Sequence, residues 1–439
     1  MTDIIFALAT GRGSAGIAVI RVSGIGSGRV FEALAGPLPE PRRTSVRRIR
    51  NSDGLVIDEA LCLWFPGPDS FTGEDSVEFH CHGATSVIAA LLKALTAMAG
   101  CRLAQTGEFS RRAFENGRID LAAVEGLADL IDSETEQQRR QAVRQMMGGL
   151  SREIDLWRVQ LIEVLALLEA ELDFMDEGDV DTGVTDRAKR RLLALRERMA
   201  VSFALGNRGE RLREGVTIVL AGPPNAGKST LLNTLARRDV AIVSPLAGTT
   251  RDIVEARLDL DGYAVTLLDT AGMRLTDDPI EQEGVRRMLE RSAAADIVLW
   301  LNAADQPEEP IPETVQQSGA IIVKVNTHRD RADADREGLN LSSVTGIGVD
   351  RLTEHLTGLV AAASSTGEER AVLTRARHRE AVGLALAALD RGLAIGHLAN
   401  PELLAEEVRS ALASVGQITG HVGVEAVLDR LFSEFCIGK

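Results

Sequence analysis

The sequence predicts a multidomain α/β chain: an α+β unit comes first, and an α/β domain is inserted between two helical stretches. Three observations carry this. Residues 1 to about 117 mix alternating apolar and polar runs with one helical stretch. Residues 118–213 and 359–439 repeat their apolar residues every three or four positions. Between them, residues 214–358 alternate apolar strand-like runs with helices, and Gly222–Thr230 is rich in small residues. Each helical stretch carries an apolar stripe that needs a partner face, so the two are expected to pack as one domain around the insertion.

At 439 residues the chain is long enough for about two to four domains with sizeable cores. Its net charge of −15 argues against general coating of nucleic acid, although a local basic surface is compatible with it. Pro41–Arg50 is the basic stretch, and it reads best as a solvated loop or strand edge. The four cysteines, Cys62, Cys81, Cys101 and Cys436, show no C-x-x-C pairing, so neither a disulfide framework nor a zinc knuckle is suggested. His80-Cys81-His82 would alternate faces on a strand and has no second ligand cluster nearby, so metal binding is not expected there. No apolar run spans a bilayer and the N-terminus has no signal-like apolar segment, so a cytoplasmic protein is expected.

In the first unit, Gly16–Gly24, Leu55–Phe65 and Ser76–His80 read as strands. Ser86–Met98 reads as a helix with Val87, Leu91, Leu95 and Met98 along one stripe. Arg21 and Glu78 are charges inside apolar strands, which fits either a solvent face or a polar pocket. Downstream, Leu121, Val124, Leu127, Ala128 and Ile131 line one helix face. Ile154, Trp157, Leu161, Val164, Leu168 and Leu172 line a second, and Leu192, Leu195 and Met199 continue the pattern. The acidic break from Asp173 to Asp181 lacks the spacing of a calcium loop and reads as a solvated turn. Beyond the insertion, Val382, Leu386, Leu389 and Leu393 form one stripe, and Leu404, Val408, Leu412 and Val415 another.

The insertion carries the chemistry. Gly222–Thr230 fits G-x-x-x-x-G-K-[ST], follows the apolar run Val216–Ala221 and precedes a helical stretch. In that setting backbone N–H groups and a helix N-terminus cradle phosphates, Lys228 reaches the β and γ phosphates, and Ser229 ligates Mg²⁺. Thr250, in Gly248–Asp252, is placed as second Mg²⁺ ligand and γ-phosphate sensor. Leu267–Gly272 is an apolar strand ending in D-x-x-G. Asp269 would hold the metal's water shell, and Gly272 would touch the γ-phosphate across Thr270 and Ala271. These motifs in this order mark a switch-type NTPase of the GTPase class. Strands at Asp296–Asn302 and Ala320–Val325 follow, then a short strand and loop at Leu341–Gly346.

Across essentially its whole length the chain resembles the MnmE (TrmE) family of tRNA-modification GTPases. The resemblance rests on Gly13–Gly24, on Phe71–Asp75 with His80–Gly83, and on Gly107–Phe109 through Asn116–Leu121. The nucleotide motifs and the terminal Phe435-Cys436-Ile437-Gly438-Lys439 complete it. It implies a homodimer formed through a folate-binding-like N-terminal domain, a central helical domain and an inserted P-loop (Ras-like) GTPase domain. It further implies joint action with the FAD protein MnmG, installing an aminomethyl-type group on C5 of the wobble uridine of certain tRNAs. Arg21, Glu78, Arg118 and Lys439 would contact a 5-formyl- or 5,10-methylene-tetrahydrofolate, and Cys436 matches the family's terminal cysteine.

Met273 stands where many GTPases carry the glutamine that orients water, and Glu281 matches the family's catalytic carboxylate. Asn225 matches a K⁺ ligand, completed by Ser244, Leu246 and Thr249, with Ala226, Gly227 and Thr230 around the phosphates. The base-reading N-K-x-D is degenerate: only Thr327-His328-Arg329-Asp330 is found, backed by Ser342, Ser343 and Val344. Asp330 keeps the carboxylate that accepts from guanine, whereas His328 replaces the lysine whose stem covers the base. Two other readings fit parts of the chain: a folate-dependent transferase with a regulatory G domain, and a ribosome-assembly GTPase. The second should carry an RNA-binding domain of KH or OB type, and no G-x-x-G flanked in the KH manner occurs outside the G domain.

Overall fold

Strands β1 (Ile4–Leu8), β2 (Ala15–Ser23), β3 (Ser45–Arg50), β4 (Val56–Phe65), β5 (Ser76–Gly83) and β6 (Cys101–Leu103) form one sheet in the order β3-β4-β5-β2-β1-β6. All pairs are antiparallel except β1 with β6. The computed structural model describes residues 3–11, 13–173, 184–237, 255–269, 295–332, 336–365, 373–394, 401–421, 425–435 and 437–438. Two compact units emerge, one of Met1–Ala128 with Val415–Lys439 and one of Asp129–Ser414.

Side-chain alternation divides the first sheet. Ile20, Val22, Val77, Phe79, Cys81 and Cys62 face α1 (Ser27–Ala35) and α2 (Thr85–Thr96), whose Phe31, Leu91 and Leu95 close the core. Arg21, Glu78 and His80 therefore point to the opposite face. There α3 (Glu108–Glu115) packs Phe109 against Ile5, Ala7 and Ala104. The basic stretch becomes edge strand β3, where Arg48 pairs with Glu59 at 3.0 Å. The C-terminal segment belongs to this same unit. Leu431, Phe432 and Phe435 of α13 (Glu425–Glu434) and the residue after it cluster with Leu121 and Val124, and Ile437 forms an antiparallel bridge to Thr106.

The second unit combines helices with a second sheet. Helices α5 (Glu136–Met146), α6 (Gly149–Asp173) and α7 (Val184–Glu214) precede the sheet and α11 (Ala376–Ala394) follows it. Helices α4 (Leu121–Asp132) and α12 (Pro401–Thr419) run across the boundaries between the two units, at residues 128 and 414. Ile154, Trp157, Leu161, Val164 and Leu168 are buried as expected, as are Leu192, Leu195 and Met199. Ile131 departs from its stripe, at 37% exposure, and Leu172 is half-buried. On α11 the face also differs. Ala381, Val382, Ala385, Ala388, Leu389 and Gly392 are buried, while Leu386 and Leu393 are only partly covered. Small side chains let a neighbour approach closely: a Cβ on Gly392 would stand 2.9 Å from Leu404 Cδ1.

The second sheet contains β7 (Val216–Ala221), β8 (Glu255–Leu260), β9 (Tyr263–Asp269), β10 (Ile297–Ala303), β11 (Ile321–Thr327) and β12 (Leu339–Asn340). Their order is β12-β11-β10-β7-β9-β8, parallel throughout except for the β8–β9 hairpin. Helices α8 (Lys228–Ala236), α9 (Glu313–Gln316) and α10 (Val349–Ser364) complete the domain. Two expectations shift here. The short strand is Leu339–Asn340, and Leu341–Gly346 is loop, because Ser342 turns to Asp330. Helix α10 runs beyond Gly358 to Ser364, since Val360 still reaches the core shared with Leu352 and Leu356.

Helix α7 meets both the sheet and the helices that follow it. Arg211 Nε donates to Asp296 Oδ1, just before β10, at 2.6 Å, and Arg213 Nε donates at 3.0 Å to the carbonyl of Thr374, just before α11.

Candidate nucleotide site and polar N-terminal site

Strand β7 lies between β9 and β10, so the chain leaves it at the point where strand order diverges, the place where open α/β sheets bind ligands. The loop that follows can only be tight. Gly222 has φ +144°, and a Cβ there would stand 2.2 Å from the Leu301 carbonyl oxygen. Gly227, at φ +82°, caps α8 in the left-handed region, where a side chain is disfavoured. Lys228 curls back over the loop, and its Nζ donates to the carbonyls of Gly222 at 2.9 Å and Pro223 at 2.7 Å. Burial pushes the Lys228 pKa down, opposed by the charges of Asp269 and Glu309.

At the end of β9, Asp269 is buried, and its Oδ2 accepts a short hydrogen bond from Ser229 Oγ. These hard oxygen donors, a hydroxyl beside a carboxylate, are the ligand types Mg²⁺ prefers. Ser229 and Thr230 are exposed in the first turn of α8, whereas Ala226 is fully buried. Asn225 takes the left-handed conformation, with φ 61°.

The degenerate motif closes over this loop. Thr327 Oγ1 lies 2.8 Å from the Ala226 carbonyl and 3.3 Å from that of Asn302, tying β11 to the phosphate loop. Asp330 Oδ1 accepts from Ser342 Oγ at 2.6 Å, and this hydrogen bond, first among several influences, holds the Asp330 carboxyl below its usual range. The Ser343 carbonyl accepts from Thr234 at 3.0 Å, while Val344 is 71% exposed. His328 turns its Nδ1 to Asp305 Oδ1 at 2.9 Å. Asp305 and Thr234 were not anticipated from the sequence. The available signal for Asp305 was its place just after a buried parallel strand, at the edge that carries the phosphate loop.

On the N-terminal unit, Arg21 and Glu78 are direct cross-strand partners in the β2–β5 register. Arg21 Nε donates to Glu78 Oε1 at 3.0 Å, and His80 Nε2 sits 3.0 Å from Glu78 Oε2. Burial alone would raise the Glu78 pKa; the hydrogen bond from His80 and the Arg21 charge outweigh it and hold the carboxyl below its usual range. The Arg21 guanidinium lies 5.5 Å from the centre of the Phe71 ring and 5.8 Å from that of Phe109.

Arg118 belongs to the same neighbourhood through the loop that carries Phe71. Its guanidinium is 3.9 Å from Asp69, and its stem packs beside Gly73. That loop is pinned from below, because Thr72 bonds Ser23 at 2.7 Å and Arg112 donates to Glu74 at 3.1 Å. His82 faces Asp58 at 2.9 Å while Cys81 is buried, so the His-Cys-His run splits across the sheet. No grouping of three metal-ligating side chains occurs among the described residues. Nor is any described helix long and apolar enough to cross a membrane.

Ser244, Leu246, Thr249, Thr250, Thr270, Ala271, Gly272, Met273, Glu281, Cys436 and Lys439 lie outside the described residues.

Comparison with known proteins bears on both sites together. Residues 4–118 match the family described as GTP-binding protein TrmE N-terminus, and residues 121–436 match the MnmE helical domain. The tRNA modification GTPase MnmE of Methylorubrum populi is 52% identical over 439 residues, covering 100% of this chain and 98% of its own. The chain belongs to the MnmE family. Other members agree: the MnmE proteins of Methylobacterium sp. strain 4-46 and Beijerinckia indica are 50% and 48% identical, covering 100% of this chain and 100% and 96% of their own. As an MnmE-family protein the chain is a GTPase, with a TrmE-type N-terminal domain, a helical domain and a P-loop domain.

Proposed function

We propose that this chain hydrolyses GTP to drive modification of tRNA. Acting as a homodimer with the FAD protein MnmG, it installs an aminomethyl-type group on C5 of the wobble uridine and draws its carbon from a tetrahydrofolate. The observation that carries the GTPase half is the contact between Ser229 and Asp269 beneath the Gly222–Lys228 loop. Two oxygen groups from different motifs meet at one point beside a helix N-terminus. Ser229 would ligate Mg²⁺ there, with Asp269 holding its water shell, and the metal would supply charge to the phosphates.

The protein's own groups then divide the remaining roles. Backbone N–H groups at the start of α8 orient the phosphates, and Lys228 leaves its loop carbonyls to reach them. Thr250 senses the γ-phosphate, and Glu281 orients the attacking water where Met273 cannot. Asn225, with Ser244, Leu246 and Thr249, supplies oxygens for K⁺, whose charge takes the part of an arginine finger. Asp330 reads guanine, with Ser342, Ser343 and Val344 beside it.

The folate half rests on the Arg21–Glu78 pair under Phe71, with Arg118 across the same loop. A pterin offers donors and acceptors to such a pair, and aromatic rings cover a flat ligand. Lys439 would join from the C-terminal segment, and the Ile437–Thr106 bridge brings that segment to the N-terminal unit. Cys436 is carried as a candidate participant in the transfer.

The test is reconstitution with tRNA, MnmG, GTP and methylene-tetrahydrofolate, in K⁺ and in Na⁺ at equal ionic strength, read by nucleoside analysis of the wobble position. Modified uridine should form only with all components and faster in K⁺. Unmodified uridine in the complete mixture would contradict the proposal.

A further inference from the structure

We propose that Asp305 is a positioning residue for the guanine nucleotide, holding the His328 ring against the phosphate loop where the usual motif carries a lysine. The inference rests on the reading of Thr327–Asp330 as the base-reading segment. A lysine spans that gap with a long stem, whereas an imidazole is short and must be placed by its backbone and by a partner. Both are present. His328 has φ 59°, in the left-handed region that non-glycine residues rarely adopt, and this turns its ring back over the loop. Its Nε2 then stands 3.3 Å from where a Cβ of Gly227 would be, which is close contact with the phosphate loop.

On the ring's other side, Nδ1 meets Asp305 Oδ1 at 2.9 Å. Asp305 follows β10 at the sheet edge that bears the phosphate loop, and its second oxygen lies 3.6 Å from Arg331. A carboxylate accepting from Nδ1–H fixes both the ring plane and the tautomer. In the neutral ring Nε2 is then the acceptor, on the side of the ring that meets Gly227 of the phosphate loop. The hydrogen bond from His328, first among the influences on Asp305, keeps its carboxyl below the usual range, so the acceptor is ionised at neutral pH.

The experiment is a double-mutant cycle on GDP affinity and on GTP kinetics in the full chain. Asp305→Ala should weaken GDP binding about tenfold, the loss of one hydrogen bond to a charged group. It should raise KM for GTP in proportion and leave kcat within about twofold. In a His328→Lys background the same substitution should change affinity by less than about twofold, because a lysine stem needs no orienting partner. Asp305→Glu should recover part of the lost affinity.

An equal loss in both backgrounds would show that Asp305 merely supports the fold and would overturn the proposal. So would unchanged affinity in the single variant. An Asp330→Asn arm separates the two levels. If that variant keeps its guanine preference, the motif reading itself fails; if it switches preference and the Asp305 cycle shows no coupling, only the positioning role fails.

Discussion

The two polar sites of this molecule are built in opposite ways. The nucleotide site is assembled from backbone: left-handed glycines, a helix N-terminus and strand ends of a parallel sheet, with Lys228 resting on its own loop carbonyls. The N-terminal site is assembled from side chains across an antiparallel register, and its charges already satisfy one another, Arg21 against Glu78 and Glu78 against His80. A backbone cradle gains its electrostatics from the fold and is poised for an anion. A side-chain site must exchange internal ion pairs for ligand contacts, so its affinity depends on what is broken as well as what is made.

The sharpest way to separate them is Lys228→Ala. Hydrolysis should fall by about 10²–10³, the effect of losing a positioned donor to developing charge, in single-turnover measurements. Folate binding by calorimetry should stay unchanged. Deleting Ile437–Lys439 should do the reverse. It removes the bridge to Thr106, and folate affinity should drop about tenfold, as for a lost charged contact, while GTP turnover survives. A deletion that leaves folate affinity intact would detach the C-terminal segment from the site.

The smallest effect is expected from Glu78→Gln, read in thermal unfolding against pH. The folded-state pKa of Glu78 lies below the ordinary glutamate value. Its stabilising contribution is therefore complete above that ordinary value and is lost as pH falls through the folded one. The wild-type transition should decline across that acid window, and Glu78→Gln should flatten the decline. Parallel curves would mean that the Arg21–Glu78–His80 cluster adds nothing to stability.

This contrast also explains what could be read from the sequence. The phosphate loop was legible because its parts are contiguous and its chemistry is backbone geometry, which glycine spacing encodes directly. Arg21 and Glu78 could be singled out as charges in apolar strands, but their pairing depends on a register 57 residues apart that no local pattern specifies. For Asp305 only its place after a buried strand was readable, since its partner His328 stands 23 residues away, just past the end of β11. On α11 the predicted stripe was right for Val382 and Leu389, but the buried face is rotated towards Ala381, Ala385, Ala388 and Gly392. Small side chains allow the tighter contact there, which leaves Leu386 and Leu393 partly covered. Long helices such as α6 were readable throughout, their buried stripe repeating over many turns.

The most direct test of the account is the base choice of Asp330→Asn. Asp330 ends the segment that Thr327 ties to the phosphate loop and is held by Ser342, so its carboxylate is the group assigned to guanine's N1–H and exocyclic amine. Hydrogen bonds of this charged kind contribute roughly 1.5–3 kcal/mol each. Turnover of guanosine, xanthosine and adenosine triphosphates should be compared in wild type and variant. The account predicts that wild type turns over GTP and that the variant prefers xanthosine triphosphate, whose carbonyl accepts from the new amide. A variant that still prefers GTP would contradict it.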